Sequence, residues 1–384
     1  VTKTIVVKQT FLRELVERAV PVVPVNAPRP VLKNLLVQAA PGSLRISATD
    51  LDLAVVVSSP MVAVNEPVEF IIPAVQLREI LKELPETDIS IAVYEPAEGI
   101  TRVDLTAGSS GWTLQVPNGT FPSLPDTAAV TWESFDRAAF IAAVRLVRFA
   151  ASKDAANLGL ACVSVARQGD GSAKVTASDG SRLQQSRLAA FPLSIQIPAI
   201  GSPSVVDEVL KLLARNEDLP TADVAQTASH LMFRCGNGVF ASRGLTAPGA
   251  NVEKQILVPA SENKLELEVS RSGLLEAIRR AAITADAHTS AICLQLTPGK
   301  LTVISRDKNG NGAEHPLDAP WEGKERRVVV NYRALSEAVS AGSAATCVLR
   351  LSSGTSKRSA VLIRDDSAGV VGVVPQMMGQ FLGY

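Results

Sequence analysis

Between Thr176 and Leu188 the chain reads TASDGSRLQQSRL. At its centre Ser178, Asp179, Gly180, Ser181 and Arg182 gather two hydroxyls, a carboxylate and a guanidinium around a glycine. Three roles use such a set. A nucleophilic hydroxyl needs an adjacent general base, which here would be a histidine. The chain has three, His230, His288 and His315, none in a recognisable catalytic context. A phosphate cradle needs a glycine-rich turn feeding a helix N-terminus, whereas this turn lies between strand-like runs. The third role is a hairpin turn, where Asp-Gly is favoured because glycine accepts positive φ.

A second stretch, Asp307-Lys308-Asn309-Gly310-Asn311-Gly312, copies the first half of a calcium loop. Its last ligand position would be Asp318, where a bidentate glutamate is expected. The flanks, LTVIS and HPLDAP, are not helical, so a polar hairpin turn is expected and no metal. Cys162, Cys235, Cys293 and Cys347 lie far apart without a CxxC spacing, which argues against zinc. No cofactor is expected.

The elements that must position these residues follow from length and pattern. A chain of 384 residues is too long for one ordinary core, and its hydrophobic content of 46% can fill several. Lys+Arg and Asp+Glu are both 38, so contact with nucleic acid has to come from local clustering of charge. The opening VTKTIVVKQTFLREL carries charges within its apolar stretch and does not read as a signal peptide. No run approaches the roughly eighteen apolar residues of a membrane span. A soluble cytoplasmic protein with reduced thiols is expected.

The Asp179 turn has echoes. Asp50 follows SLRISAT, Asp179 follows SAKVTAS and Asp307 follows KLTVISR. The three aspartates are spaced by about 128 residues, one third of the chain. A helical pattern lies upstream of each: TFLRELVERAV from Thr10, SFDRAAFIAAVRLVRFA from Ser134 and SRSGLLEAIRRAA from Ser270. Each begins at or near a Ser or Thr suited to N-capping. Phe11, Leu12, Leu15, Val16 and Ala19 make the apolar face of the first. A second helix follows each aspartate: PAVQLREILKELP from Pro73, SPSVVDEVLKLLARN from Ser202 and NYRALSEAVSAG from Asn331. Between helices the alternation is period two, as in KLELEVS, ICLQL, CVLRLSS and AVLIRDD, the pattern of half-buried antiparallel strands. The class is α+β, with three tandem similar domains at 1–127, 128–259 and 260–384, each with two helices packed on antiparallel sheets. Repeated antiparallel sheets leave strand edges that ring closure would satisfy.

These residues resemble a known family, the bacterial sliding clamps (the beta subunit of DNA polymerase III). RPVLKNLLVQAAPGSLRISATDLDLAV at 29–55, FPSLP at 121–125, ASDGSRL at 177–183 and NYRALSEAV at 331–339 carry the resemblance in order and in phase with the repeat. It implies a ring-shaped head-to-tail homodimer with sheets outside and helices lining a hole for duplex DNA. Such a clamp is no enzyme. It is a processivity factor that tethers polymerase subunits and repair proteins through linear peptides, and an ATP-driven clamp loader opens it.

The resemblance also assigns residues. Leu158, Ser178, Gly180, Ser181, Arg182, Leu183, Val252, Leu257, Tyr332, Val374, Pro375, Gln376 and Met377 match a groove for partner peptides. Ser181 stands where a larger or ring-bearing residue is usual, Val252 where proline is common, and Gln376 begins an altered tail. Arg29, Arg78, Arg145, Arg148, Lys153, Lys211, Arg215, Arg279, Arg280 and Arg333 are candidates to face DNA, with Lys82 and Arg137 among the other helical cations. Contact with phosphates would be loose and without base readout. Trp112 and Leu114 match one side of the dimer interface, Ile283 and Thr284 the other. Thr284 is more polar than usual there, which implies a weaker dimer. The competing readings are a monomeric scaffold that uses the groove without closing a ring, and a repeat-built hydrolase.

Overall fold

A computed structural model describes residues 2–60, 62–64, 66–94, 99–117, 119–154, 160–192, 199–243, 252–351 and 359–377. The first third contributes strands β1 (Lys3–Lys8), β2 (Asn34–Ala40), β3 (Ser43–Thr49), β4 (Leu53–Ser59), β5 (Ala63–Val64), β6 (Val68–Pro73), β7 (Asp88–Val93), β8 (Ile100–Ala107) and β9 (Ser110–Pro117). Helix α1 (Gln9–Ala19) follows β1 and α2 (Ala74–Glu83) follows β6. The second third repeats this with β10 (Glu133–Asp136), α3 (Arg137–Arg145), β11 (Val163–Arg167), β12 (Ala173–Ser178), β13 (Leu183–Leu188), β14 (Ala199–Gly201), α4 (Pro203–Ala214), β15 (Thr221–Gln226), β16 (His230–Cys235) and β17 (Gly238–Arg243). The last third has β18 (Leu265–Ser270), α5 (Arg271–Ala281), β19 (Ala291–Thr297), β20 (Lys300–Arg306), β21 (Gly312–Asp318), β22 (Arg326–Asn331), α6 (Tyr332–Ser340), β23 (Thr346–Leu351), β24 (Ala360–Asp365) and β25 (Val370–Pro375).

Two sheets each join strands of consecutive thirds. One runs β10-β15-β16-β17-β4-β3-β2-β6 and the other β14-β11-β12-β13-β25-β24-β23-β18. The remaining two run β5-β1-β7-β8-β9 and β21-β20-β19-β22. The chain accordingly clusters into two compact units, Val1–Arg137 with Asp207–Gly244, and Ala138–Val206 with Leu245–Tyr384. The expected boundary near 128 falls in 119–132, which carries no helix or strand, and that near 260 falls in a short helical turn, Val258–Ser261.

The apolar stripe of α1 is buried through Leu12, Leu15, Val16 and Ala19, while Phe11 stays partly exposed. Each large aliphatic side chain so buried stabilises by roughly 1.5–3 kcal/mol. The helix starts differ from the Ser/Thr pattern. Ser270 does cap α5, accepting from the Gly273 N–H at 3.2 Å. In α1, however, Lys8 is the cap and offers no side-chain bond. Ser134 lies inside β10 and donates to Asp223 at 2.7 Å. The strands β1 and β10 run directly into these two helices.

The first residue of each leading helix ties off the end of the second helix. A helix leaves its last four carbonyls without intrahelical donors. Gln9 Nε2 donates to the carbonyls of Leu81 (2.6 Å) and Leu84 (3.3 Å) at the end of α2. Arg137 donates to those of Leu213 (2.9 Å), Glu217 (3.1 Å) and Leu219 (2.6 Å) around the end of α4. Arg271 donates to those of Val339 (2.6 Å) in the last turn of α6 and Ala344 (2.6 Å) just after it. The same tie occurs in all three thirds, and it occupies the guanidinium of Arg137.

Candidate functional site

The Ser178–Leu183 loop closes β12 onto β13 as a hairpin, with Ser178 paired to Leu183. Asp179 organises it. One carboxylate oxygen accepts from the Ser181 N–H (3.0 Å), the Ser181 hydroxyl (2.8 Å) and the Arg182 N–H (3.0 Å). Ser178 Oγ donates to the Arg182 carbonyl at 2.5 Å and accepts from the Gly180 N–H at 3.1 Å. Gly180 has φ +90°, a conformation that favours glycine. Burial pushes the Asp179 carboxyl pKa up, but the N–H and hydroxyl donors from Arg182 and Ser181 outweigh it and hold the pKa below the usual value. Both hydroxyls and the carboxylate are therefore occupied in holding the turn.

The echoes use the same device. Asp50 accepts from the N–H groups of Asp52 (2.9 Å) and Leu53 (2.7 Å), and Asp307 from those of Asn309 (2.9 Å) and Asn311 (2.8 Å). The calcium-like stretch is thus the β20–β21 hairpin, with its aspartate engaged by its own backbone.

Arg182 distinguishes the second copy. Its Nε donates to Asp179 at 2.9 Å, one terminal nitrogen pairs with Glu337 on α6, and the other donates to the Phe149 carbonyl at 2.9 Å. The guanidinium also lies over the Phe149 ring, 5.7 Å from its centroid. Beside it, Leu183 is buried opposite Val373 of β25. The two pack with Ala260, Ala360 and Leu362 in a small apolar cluster bordered by Val252, Ile256, Leu257 and Val371. The expected groove residues Leu183, Val252 and Leu257 thus come together.

Others fall differently. Val374 faces the neighbouring main core, against which Tyr332 packs, because side chains alternate along β25. Pro375 ends β25 opposite Ala360. Gln376 N–H donates to the Ser359 carbonyl (2.8 Å) and Met377 N–H to that of Val329 (2.7 Å), so the tail crosses to β22. Ser181 is exposed at the rim. Leu158 lies outside the described residues, and the leucine beside Gly180 is Leu160, whose Cδ1 sits 2.9 Å from where a Cβ would be. Glu337, Leu160, Leu362 and Val373 were not read from the sequence. The run VVGVVP of β25 carries no polar alternation that would single out Val373.

The candidate DNA-facing cations are mostly exposed: Arg29, Arg145, Lys153, Lys211, Arg215, Arg279, Arg280 and Arg333, with Arg78 and Arg148 partly buried. Several have acidic neighbours. Arg78 pairs with Glu79 (3.0 Å), Lys211 with Glu208 (2.6 Å) and Arg280 with Glu276. Exposed pairs of this kind contribute at most about 1 kcal/mol each, so incoming phosphates can compete for them.

Trp112 and Leu114 lie partly buried on β9. Ile283 is 82% exposed, and the Thr284 hydroxyl bonds Ser305 Oγ at 2.7 Å. Among the described residues β9 pairs only with β8 and β21 only with β20. No group of three His, Cys, Asp or Glu that could hold a metal occurs among the described residues. Burial pushes the Cys162, Cys293 and Cys347 thiols up to about 11. No helix among the described residues is long and apolar enough to cross a membrane.

Residues 2–125 match the family described as DNA polymerase III beta subunit, N-terminal domain. The chain is 28% identical over 353 residues to the beta sliding clamp of Synechococcus elongatus, covering 89% of this chain and 90% of that protein. It is 24% identical over 312 residues to that of Caulobacter vibrioides, covering 80% and 82%. The solved Caulobacter crescentus beta sliding clamp shares the fold with a TM-score of 0.87 at 21% identity, over 98% of this chain and 99% of that one. The leading third of the chain thus matches the family of the DNA polymerase III beta subunit, and most of its length is similar to beta sliding clamps.

Proposed function

We propose that two copies of this chain close around duplex DNA as a sliding clamp, a processivity factor without chemistry of its own. Polymerase subunits, repair enzymes and a clamp loader would be held at the apolar cluster around Leu183. The observation that carries this reading is the repeated sheet joint. Strands of consecutive thirds join edge to edge at β17 with β4 and at β25 with β13, and among the described residues β9 and β21 are edge strands that stand where those joints' partners do in the other thirds. A second copy offers an edge of each kind, so the pairing closes on itself. Exposed cations on the helices would contact phosphates without base readout. The working compartment would be the cytoplasm, at the nucleoid.

The test is retention on DNA. Labelled protein is assembled on nicked circular plasmid with a bacterial clamp loader and ATP, then passed through gel filtration at high salt. Retention on the circle and loss after a single restriction cut is the expected result. Equal retention on both forms, or none on either, overturns the reading.

A further inference from the structure

The two internal joints share one register, and it predicts how a third would form. Strands β17, β25 and β9 begin, at their hairpin necks, with Gly238, Val370 and Ser110. Strands β4, β13 and β21 are entered through the aspartate turns at neck residues Ala54, Leu183 and Gly312. In the first joint Gly238 faces Val57, the third residue beyond Ala54. In the second, Val370 faces Ser186, the third beyond Leu183. The same rule sets Ser110 of one copy opposite His315 of another, and Trp112 opposite Ala313.

One step outward, both internal joints add a backbone bond. The Ser58 N–H donates to the Asn237 carbonyl at 3.0 Å, and the Arg187 N–H to the Gly369 carbonyl at 3.1 Å. The corresponding residue on β21 is Pro316, which has no N–H. The β20–β21 ladder continues on both sides of Pro316, from Arg306↔Gly312 to Lys300↔Asp318, so its missing donor belongs to the open edge.

A side chain repeats as well. Arg18, the last residue but one of α1, pairs with Glu14 at 3.4 Å and donates to the Asn237 side chain across the first joint, where it is 7% exposed. Arg280 holds the same place in α5 and pairs with Glu276, but is 59% exposed. Ser109 stands where Asn237 does.

We propose that Ser110–Thr113 of one copy pairs with Gly312–His315 of a second in the internal register, that Arg280 reaches across this joint toward Ser109, and that Pro316 makes it one backbone bond weaker than the joints within the chain. The proposal rests on the clamp reading for the identity of the occupant. It assigns Arg280 to the protein joint, whereas the family resemblance suggests the DNA path.

Register is tested by oxidative cross-linking. Ser110→Cys with His315→Cys in one chain is expected to give a covalent dimer on a non-reducing gel. The displaced pair Ser110→Cys with Ala313→Cys is expected to stay monomeric there, and cross-linking of the displaced pair alone overturns the register. Strength is tested by sedimentation. Pro316→Ala restores one donor per joint, each worth about fivefold, so the dimer dissociation constant is expected to fall about 25-fold over two joints. Arg280→Ala is expected to raise it. A dimer unchanged by both substitutions overturns the proposal while leaving the clamp reading intact. A wild-type chain that sediments as a monomer throughout the micromolar range defeats that reading, and the proposal with it.

Discussion

Arg271 at the start of α5 and Asp365 at the end of β24 meet at 2.6 Å with their side chains 9% and 3% exposed. Asp365 also accepts from the N–H groups of Ser343 (2.8 Å), Ala344 (2.9 Å) and Ala368 (3.1 Å). The pair therefore holds the start of α5, the loop after α6 and the β24–β25 turn at one point.

Removing one partner leaves the other charge buried and unpaired. Arg271→Ala is expected to destabilise the chain by about 3–5 kcal/mol. Urea unfolding followed by circular dichroism reads the loss. A midpoint within experimental error of wild type contradicts the role given to this pair.

The same carboxylate sets an acid limit. Burial pushes its pKa up, but the N–H donors of Ala344, Ala368 and Ser343 and the Ser367 hydroxyl outweigh it, so the folded pKa lies below the unfolded one. Its stabilisation is complete above the ordinary aspartate value of about 4 and is lost as pH falls from there toward the folded pKa. Asp365→Asn is expected to flatten the decline of the melting temperature below about pH 4, and equal slopes would refute it.

Leu257 borders the apolar cluster and is only partly buried. Leu257→Glu would set a carboxylate against the place proposed to take an apolar peptide side chain. Binding of a short leucine-rich partner peptide, read by fluorescence polarisation, is expected to weaken at least about tenfold, or 1.4 kcal/mol. The melting temperature should hold within a few degrees. Unchanged binding would move the docking site elsewhere.

Burial keeps the Cys162, Cys293 and Cys347 thiols protonated at neutral pH, and Cys235 is buried too. Thiolate is the reactive form. A disulfide-exchange reagent at pH 8 is expected to label none of the four before denaturant is added, and rapid labelling of the folded chain would count against this burial.

The repeat was legible because aspartate turns are local: Asp50, Asp179 and Asp307 each hold backbone groups within a few residues, so their spacing survives in the sequence. The alternation of KLELEVS likewise marks β18. The ties made by Gln9, Arg137 and Arg271 were not legible, since each spans most of a third of the chain. At the candidate groove the resemblance groups Leu183, Val252 and Leu257, and these three pack at one apolar cluster. Val373 and Val374 are identical in type, and only strand direction shows which faces the cluster. Glu337 was hidden because nothing near it in sequence announces Arg182 as its partner.

The shared sheets also bear on synthesis. Strand β4 finishes at Ser59, but its neighbour β17 ends at Arg243. At translation rates of roughly 5–20 residues per second, the β4 edge of a nascent chain waits on the order of ten to forty seconds for its partner. During that interval the ribosome carries a half-finished sheet with a hydrophobic, hydrogen-bond-hungry margin. Chaperone occupancy on the growing chain should therefore peak while the second third is being made and fall once Arg243 has cleared the exit tunnel.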